Sequence, residues 1–120
     1  MRAGIPTVDV IAVLTNLPDS ESAFNLARAL VRRRLAACVN VLPPVTSFYR
    51  WEGREEEATE VPVLIKTVLE RYPEVEQAIR ELHSYELPEI IVFPVEQGFE
   101  NYLGWVRDEC KRPPDPGMQP

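Results

Sequence analysis

The sequence holds one histidine, two cysteines and five glycines in 120 residues, and each scarcity removes a class of function. A tight transition-metal site takes three or four nitrogen or sulfur ligands, which His83, Cys38 and Cys110 alone do not supply within one chain. The two cysteines lie far apart and form no CxxC pair, so neither a disulfide scaffold nor a zinc knuckle is encoded. The glycines, at positions 4, 53, 98, 104 and 117, make no phosphate-cradling loop, and Thr46 and Ser47 lack the G-x-S-x-G setting of a serine nucleophile. These absences disfavour hydrolase and nucleotidyl chemistry, and no catalytic residues are assigned. The longest apolar run, Val10 to Leu14, is far too short for a membrane span. Met1 to Asp9 has no apolar core of a secretory signal, so the expected location is cytoplasmic. Thirteen basic against nineteen acidic residues give a net charge of -6. No surplus of Lys and Arg is available to displace counterions, so neither nucleic acid nor membrane is expected as a partner.

What remains is the composition of a folded domain, with 45% hydrophobic and 27% charged residues. Residues 1–110 read as one domain, and 111–120, with four prolines, as a mobile tail. Val8 to Leu14 is a β-branched strand ended by Thr15-Asn16-Leu17-Pro18-Asp19. Asp19 or Ser20 caps a helix running to about Arg34, whose apolar stripe reads Ala23, Phe24, Ala27, Leu30 and Val31. Ala36 to Leu42 and Val45 to Trp51 read as one long strand bent at Pro43-Pro44. Glu52-Gly53-Arg54-Glu55 turns the chain, and Glu60 to Thr67 returns, leaving an acidic tip from Glu52 to Glu60. A second helix opens at Pro73 and buries Val75, Ala78, Ile79 and Leu82. Glu89 to Val95 is the last strand, and Asn101 to Cys110 a short final helix.

Strand, helix, long hairpin, helix, strand is the order of a ferredoxin-like βαββαβ sandwich, an α+β fold with both helices on one face of an antiparallel sheet. Two helices leave the other face uncovered although its strands are apolar on both sides. Self-association is the expected remedy.

His83 has two readings. It caps the end of the second helix, where an imidazolium suits the dipole, or it holds a metal weakly with Glu86 and Glu89. Cys38, among small apolar residues, is expected to be an inert structural thiol, and Cys110 an exposed spectator. Tyr49, Trp51, Lys66, His83, Tyr85 and Glu89 would suit a cleft for a small anionic ligand, while the two aromatics Tyr49 and Trp51 would equally suit a subunit interface. No cofactor is required by any of these readings.

Several blocks resemble the CutA family of divalent-cation-tolerance proteins: T-N-L-P-D at 15–19, R-R-L-A-A-C-V-N at 33–40, V-T-S-F-Y-R-W-E-G at 45–53, K-T at 66–67, H-S-Y-E-L-P-E-I at 83–90 and Y-L-G-W at 102–105. The resemblance implies a ferredoxin-like chain in a very stable homotrimer, with the long hairpins wrapping neighbouring subunits. It also implies a non-catalytic role in tolerance of divalent metals, chiefly copper, and a likeness to the PII signalling trimers. Members proposed to coordinate copper carry cysteine at the position of Thr15 and histidines at those of Leu82 and His83. Only His83 remains here, so weak rather than tight binding of Cu(II) or another divalent cation is the expectation.

Overall fold

A computed structural model describes residues 8–112. The chain order is β1 (Val10–Leu17), α1 (Ser20–Arg32), β2 (Cys38–Val41), β3 (Val45–Trp51), β4 (Arg54–Val68), a single 3-10 turn (Leu69–Arg71), α2 (Tyr72–Leu82), β5 (Ile90–Pro94) and α3 (Glu100–Glu109). The sheet order is β2-β4-β1-β5, with β3 pairing the outer half of β4 and every pairing antiparallel. This is the expected α+β arrangement, and its element order matches the reading of the sequence.

Strand alternation sorts the side chains into two faces. Ile11, Val13, Thr15 and Leu17 of β1 share a buried face with Val61, Val63, Ile65 and Thr67 of β4. Ala23, Leu26 and Leu30 of α1 and Val75, Ala78 and Ile79 of α2 close over it, making the main core. The opposite face carries Ala12, Leu14 and Asn16 beside Leu64 and Lys66, flanked by Cys38 and Asn40 on β2 and by Ile91 and Phe93 on β5. Ile91 and Phe93 are exposed. One end is covered by α3, whose Leu103 and Val106 pack with Val10, Val68 and Val95.

The stripe of α1 is rotated from the expected one, while α2 buries Val75, Ala78 and Ile79 as expected. In α1 Leu26 rather than Phe24 is buried beside Ala23, and Phe24 and Val31 stand exposed. The stripe Ala23, Leu26, Leu30 keeps the same period but points about one residue further round. Leu82, the last residue of α2, is 42% exposed and does not join the stripe. Asp19 is the cap of α1: the Ser22 N–H donates to its Oδ1 at 2.8 Å, which holds the Asp19 carboxyl below the usual range. Burial also corrects Cys110. It is buried in the second core beside Val106, with the Thr67 hydroxyl 3.5 Å from its Sγ, and burial pushes the thiol pKa up. It is no exposed spectator, because α3 turns its last residue inward against β4.

The first strand starts and ends later than expected, since Thr15, Asn16 and Leu17 still pair with β4. The long bent strand is two strands, β2 and β3, separated by Leu42, Pro43 and Pro44. Pro62 lies opposite this break. Its carbonyl accepts from the Leu42 N–H at 2.9 Å, and a strand residue's N–H and C=O point the same way. The donor that Pro62 lacks would have answered the Leu42 carbonyl, so the proline ends the β2–β4 ladder at the break instead of interrupting it. The acidic stretch is no loop tip. Glu52 and Gly53, with φ 49° and 78°, form a two-residue turn, and Glu55, Glu56, Glu57 and Glu60 belong to β4. The β3–β4 ribbon thus leaves the sheet as an arm, with Phe48 74% exposed. Of the proline-rich tail, residues 113–120 lie outside the described residues. Arg112 itself pairs with Glu74, Nη2 to Oε1 2.9 Å.

Candidate functional site

His83 ends α2, its backbone N–H donating to the Ile79 carbonyl at 2.8 Å while its own backbone turns extended. The ring does not cap the helix. It is 9% exposed, its Nε2 lies 2.5 Å from the Asn16 carbonyl oxygen, and its Nδ1 accepts from the Tyr85 N–H at 3.1 Å. A carbonyl needs a donor and an amide N–H needs an acceptor, so these two partners fix the neutral Nε2–H tautomer. Asn16 lies one residue beyond the last β1–β5 pair, Thr15 with Ile90, which leaves its carbonyl without a donor from β5. His83 supplies one.

The Asn16 side chain extends the same node, its Nδ2 donating to Glu89 Oε1 at 3.1 Å. The Tyr85 ring stands 4.6 Å from the His83 ring at 50°. Burial, then the Glu60 carboxylate facing its hydroxyl, and more weakly Tyr49 and Asp19, push the Tyr85 pKa up to about 12. His83, Tyr85, Tyr49 and Glu89 are therefore gathered at the root of the arm, joined by Asn16, Glu60 and Asp19. Sequence reasoning missed those three. The available signal was an asparagine in an otherwise apolar strand, where a polar side chain needs a partner.

Trp51 and Lys66 do not join this node within one chain. Trp51 pairs with Arg54 at the far end of the arm. Lys66 lies opposite Ala12, four residues or roughly 13 Å along β1 from Asn16. Its Nζ donates instead to Asn40 Oδ1 on the open face, beside Cys38. Cys38 is half-buried, its Sγ near the Tyr102 hydroxyl. Nor do His83, Glu86 and Glu89 form a metal cage: among the described residues no three of His, Cys, Asp or Glu are placed so as to hold a metal ion, and both imidazole nitrogens are engaged. Thr15 faces the helix layer with its hydroxyl buried and, among the described residues, without a hydrogen-bond partner.

A family profile described as CutA1 divalent ion tolerance protein matches residues 11–109. The chain belongs to the CutA1 family. A relative from Thermus thermophilus, a divalent-cation tolerance protein CutA, is 43% identical over 96 residues, which is 80% of this chain and 93% of the relative. The human protein CutA is 46% identical over 82% of this chain, but the match spans only 55% of the human protein. Among solved structures, CutA1 from the psychrotrophic bacterium Shewanella sp. SIB1, described as a stable protein, superposes with a TM-score of 0.84 at 38% identity, covering 87% of this chain and 97% of that one. The motif blocks thus identified the CutA family correctly. None of the helices among the described residues is long and apolar enough to cross a membrane.

Proposed function

We propose that this CutA1 protein works as a non-catalytic cytoplasmic homotrimer in tolerance of divalent ions, copper among them. Family membership supports the divalent-ion role. The observation that carries the assembly is the open sheet face with Ile91 and Phe93, together with an arm whose Val45, Phe48, Tyr49 and Trp51 are exposed. Apolar surface on this scale, beside two unpaired ribbon edges, favours a partner of the same kind. Any metal bound by such a trimer is held weakly, by carboxylates such as Glu86 and Glu89 contributed around His83. A second reading rests on Lys66: its ammonium on the open face gives a small anion a counter-charge between subunits, as in a PII-like sensor.

The test is a titration of metal-free protein with Cu(II) and Zn(II), beside Glu89→Gln and Lys66→Ala. Saturable binding weakened by Glu89→Gln supports the metal reading. Absence of binding to every form overturns it, and anion binding lost in Lys66→Ala selects the second.

A further inference from the structure

A cleft between the end of α1 and the outer face of α2 lies apart from His83 and from the open sheet face. It is an open depression of about 280 Å3 over a floor of Leu35 and Ala78. That is smaller than the roughly 300–1,000 Å3 pockets that take drug-sized ligands, so its occupant is a small molecule rather than a nucleotide. Arg33, Arg71, Glu74, Gln77 and Glu81 line it, and Glu81 lies seven residues, roughly 10 Å, along α2 from the Glu74 that pairs with Arg71.

Arg71 is 3% exposed, and among the described residues its Nε is buried with no acceptor. Its Nη1 donates to Glu74 Oε1 at 3.0 Å, but the same oxygen takes Arg112 Nη2 at 2.9 Å. Glu74 is thus shared between two guanidiniums, of which Arg112 has a second, longer contact with Glu70 Oε1 at 3.8 Å, and Arg33 adds a third positive group among the lining residues. A buried guanidinium with so few acceptors is expensive unless a further anion meets it. The other pole is acidic. Gln77 Nε2 donates to Glu81 Oε1 at 3.1 Å, drawing that carboxylate back along α2 and leaving it most of its acceptor positions. Between the poles lies apolar floor.

We propose that this cleft binds a short-chain ω-amino acid. Its carboxylate meets Arg33 and Arg71, its methylenes lie over Leu35 and Ala78, and its ammonium meets Glu81 beside Gln77. Planar guanidinium forks suit a carboxylate, and an aliphatic chain between two charged ends matches an apolar strip between two charged walls.

The experiment follows the Leu35 and Ala78 amide resonances of the full chain during titration with γ-aminobutyrate, and separately with butyrate and with butylamine. The expected result is saturable shifts with γ-aminobutyrate at an affinity about tenfold or more above either half-ligand, since both charged ends contribute. Arg71→Ala risks misfolding because the side chain is buried. The exposed variants Arg33→Ala and Glu81→Gln keep the test decisive: each weakens γ-aminobutyrate about tenfold, the loss of one charge-assisted hydrogen bond. Butyrate binding as tightly as γ-aminobutyrate, variants that leave its affinity unchanged, or no saturable shift would each overturn the proposal.

Discussion

The Nε2 of His83 lies 2.5 Å from the carbonyl oxygen of Asn16, and this single contact ties the end of α2 to the far end of β1. Because Nδ1 also holds the Tyr85 N–H, the imidazole serves two backbone groups that have no other visible role than to be satisfied.

Replacing His83 by Ala strands both groups in a part-buried setting. Two fully buried groups left unpaired would cost about 2–6 kcal/mol together, and partial access to water lowers this, so His83→Ala is expected to destabilise by about 2–4 kcal/mol. Urea unfolding of the variant beside the wild type measures this. A ring held free as a metal ligand would give no loss in metal-free buffer.

The rotated stripe of α1 separates two neighbouring side chains. Leu26→Ala opens a cavity in the main core and is expected to cost about 2–5 kcal/mol. Phe24→Ala, at a side chain 46% exposed beside Arg28, is expected to cost far less. Paired denaturation curves decide, and equal losses would refute the orientation of α1.

Tyr85 makes the protein sensitive to alkali. Its pKa is raised from the ordinary value of 10.0 to about 12 in the folded chain, so the unfolded chain loses this proton first. The stabilisation is complete below pH 10 and falls as pH rises through about 12. Tyr72, raised to about 12 by burial and by its bond to Glu76, acts in the same window. Stability measured across this window should drop less steeply in Tyr85→Phe than in the wild type.

Assembly gives a fourth outcome. Light scattering of dilute protein is expected to report three chains of 13.7 kDa, with a Tm that rises with protein concentration. Phe48→Glu, a charge on the most exposed aromatic of the arm, should shift the mass toward that of one chain. A monomeric wild type would remove the trimer.

Much of this fold was legible because its signals are local. Asp19 before a 3.6-residue apolar period and Pro73 at the start of α2 each mark a boundary within a few residues of themselves. The hidden parts depend on partners far away in the chain. Nothing near Cys110 announces that α3 will press it against Thr67, and nothing near His83 announces Asn16. The same holds for Lys66 and Trp51. They look like companions of His83 only until the register assigns Lys66 to the open face and Trp51 to the tip of the arm, at the end of the seven-residue β3. Glu55 to Glu57 read as a polar loop because alternation in an exposed ribbon carries no apolar face to betray it.

The register of β1 also sets a schedule for synthesis. Its partners are residues 61–68 on one side and 90–94 on the other, while α1, made just after it, has only part of its core to pack against. A growing chain therefore holds an apolar central strand unpaired while the ribosome adds most of the remaining sequence, and contacts of such long range are slow to form. Among the described strands β1 leaves the exit tunnel before either partner and gains the second one last, and chaperone occupancy should be highest in that interval.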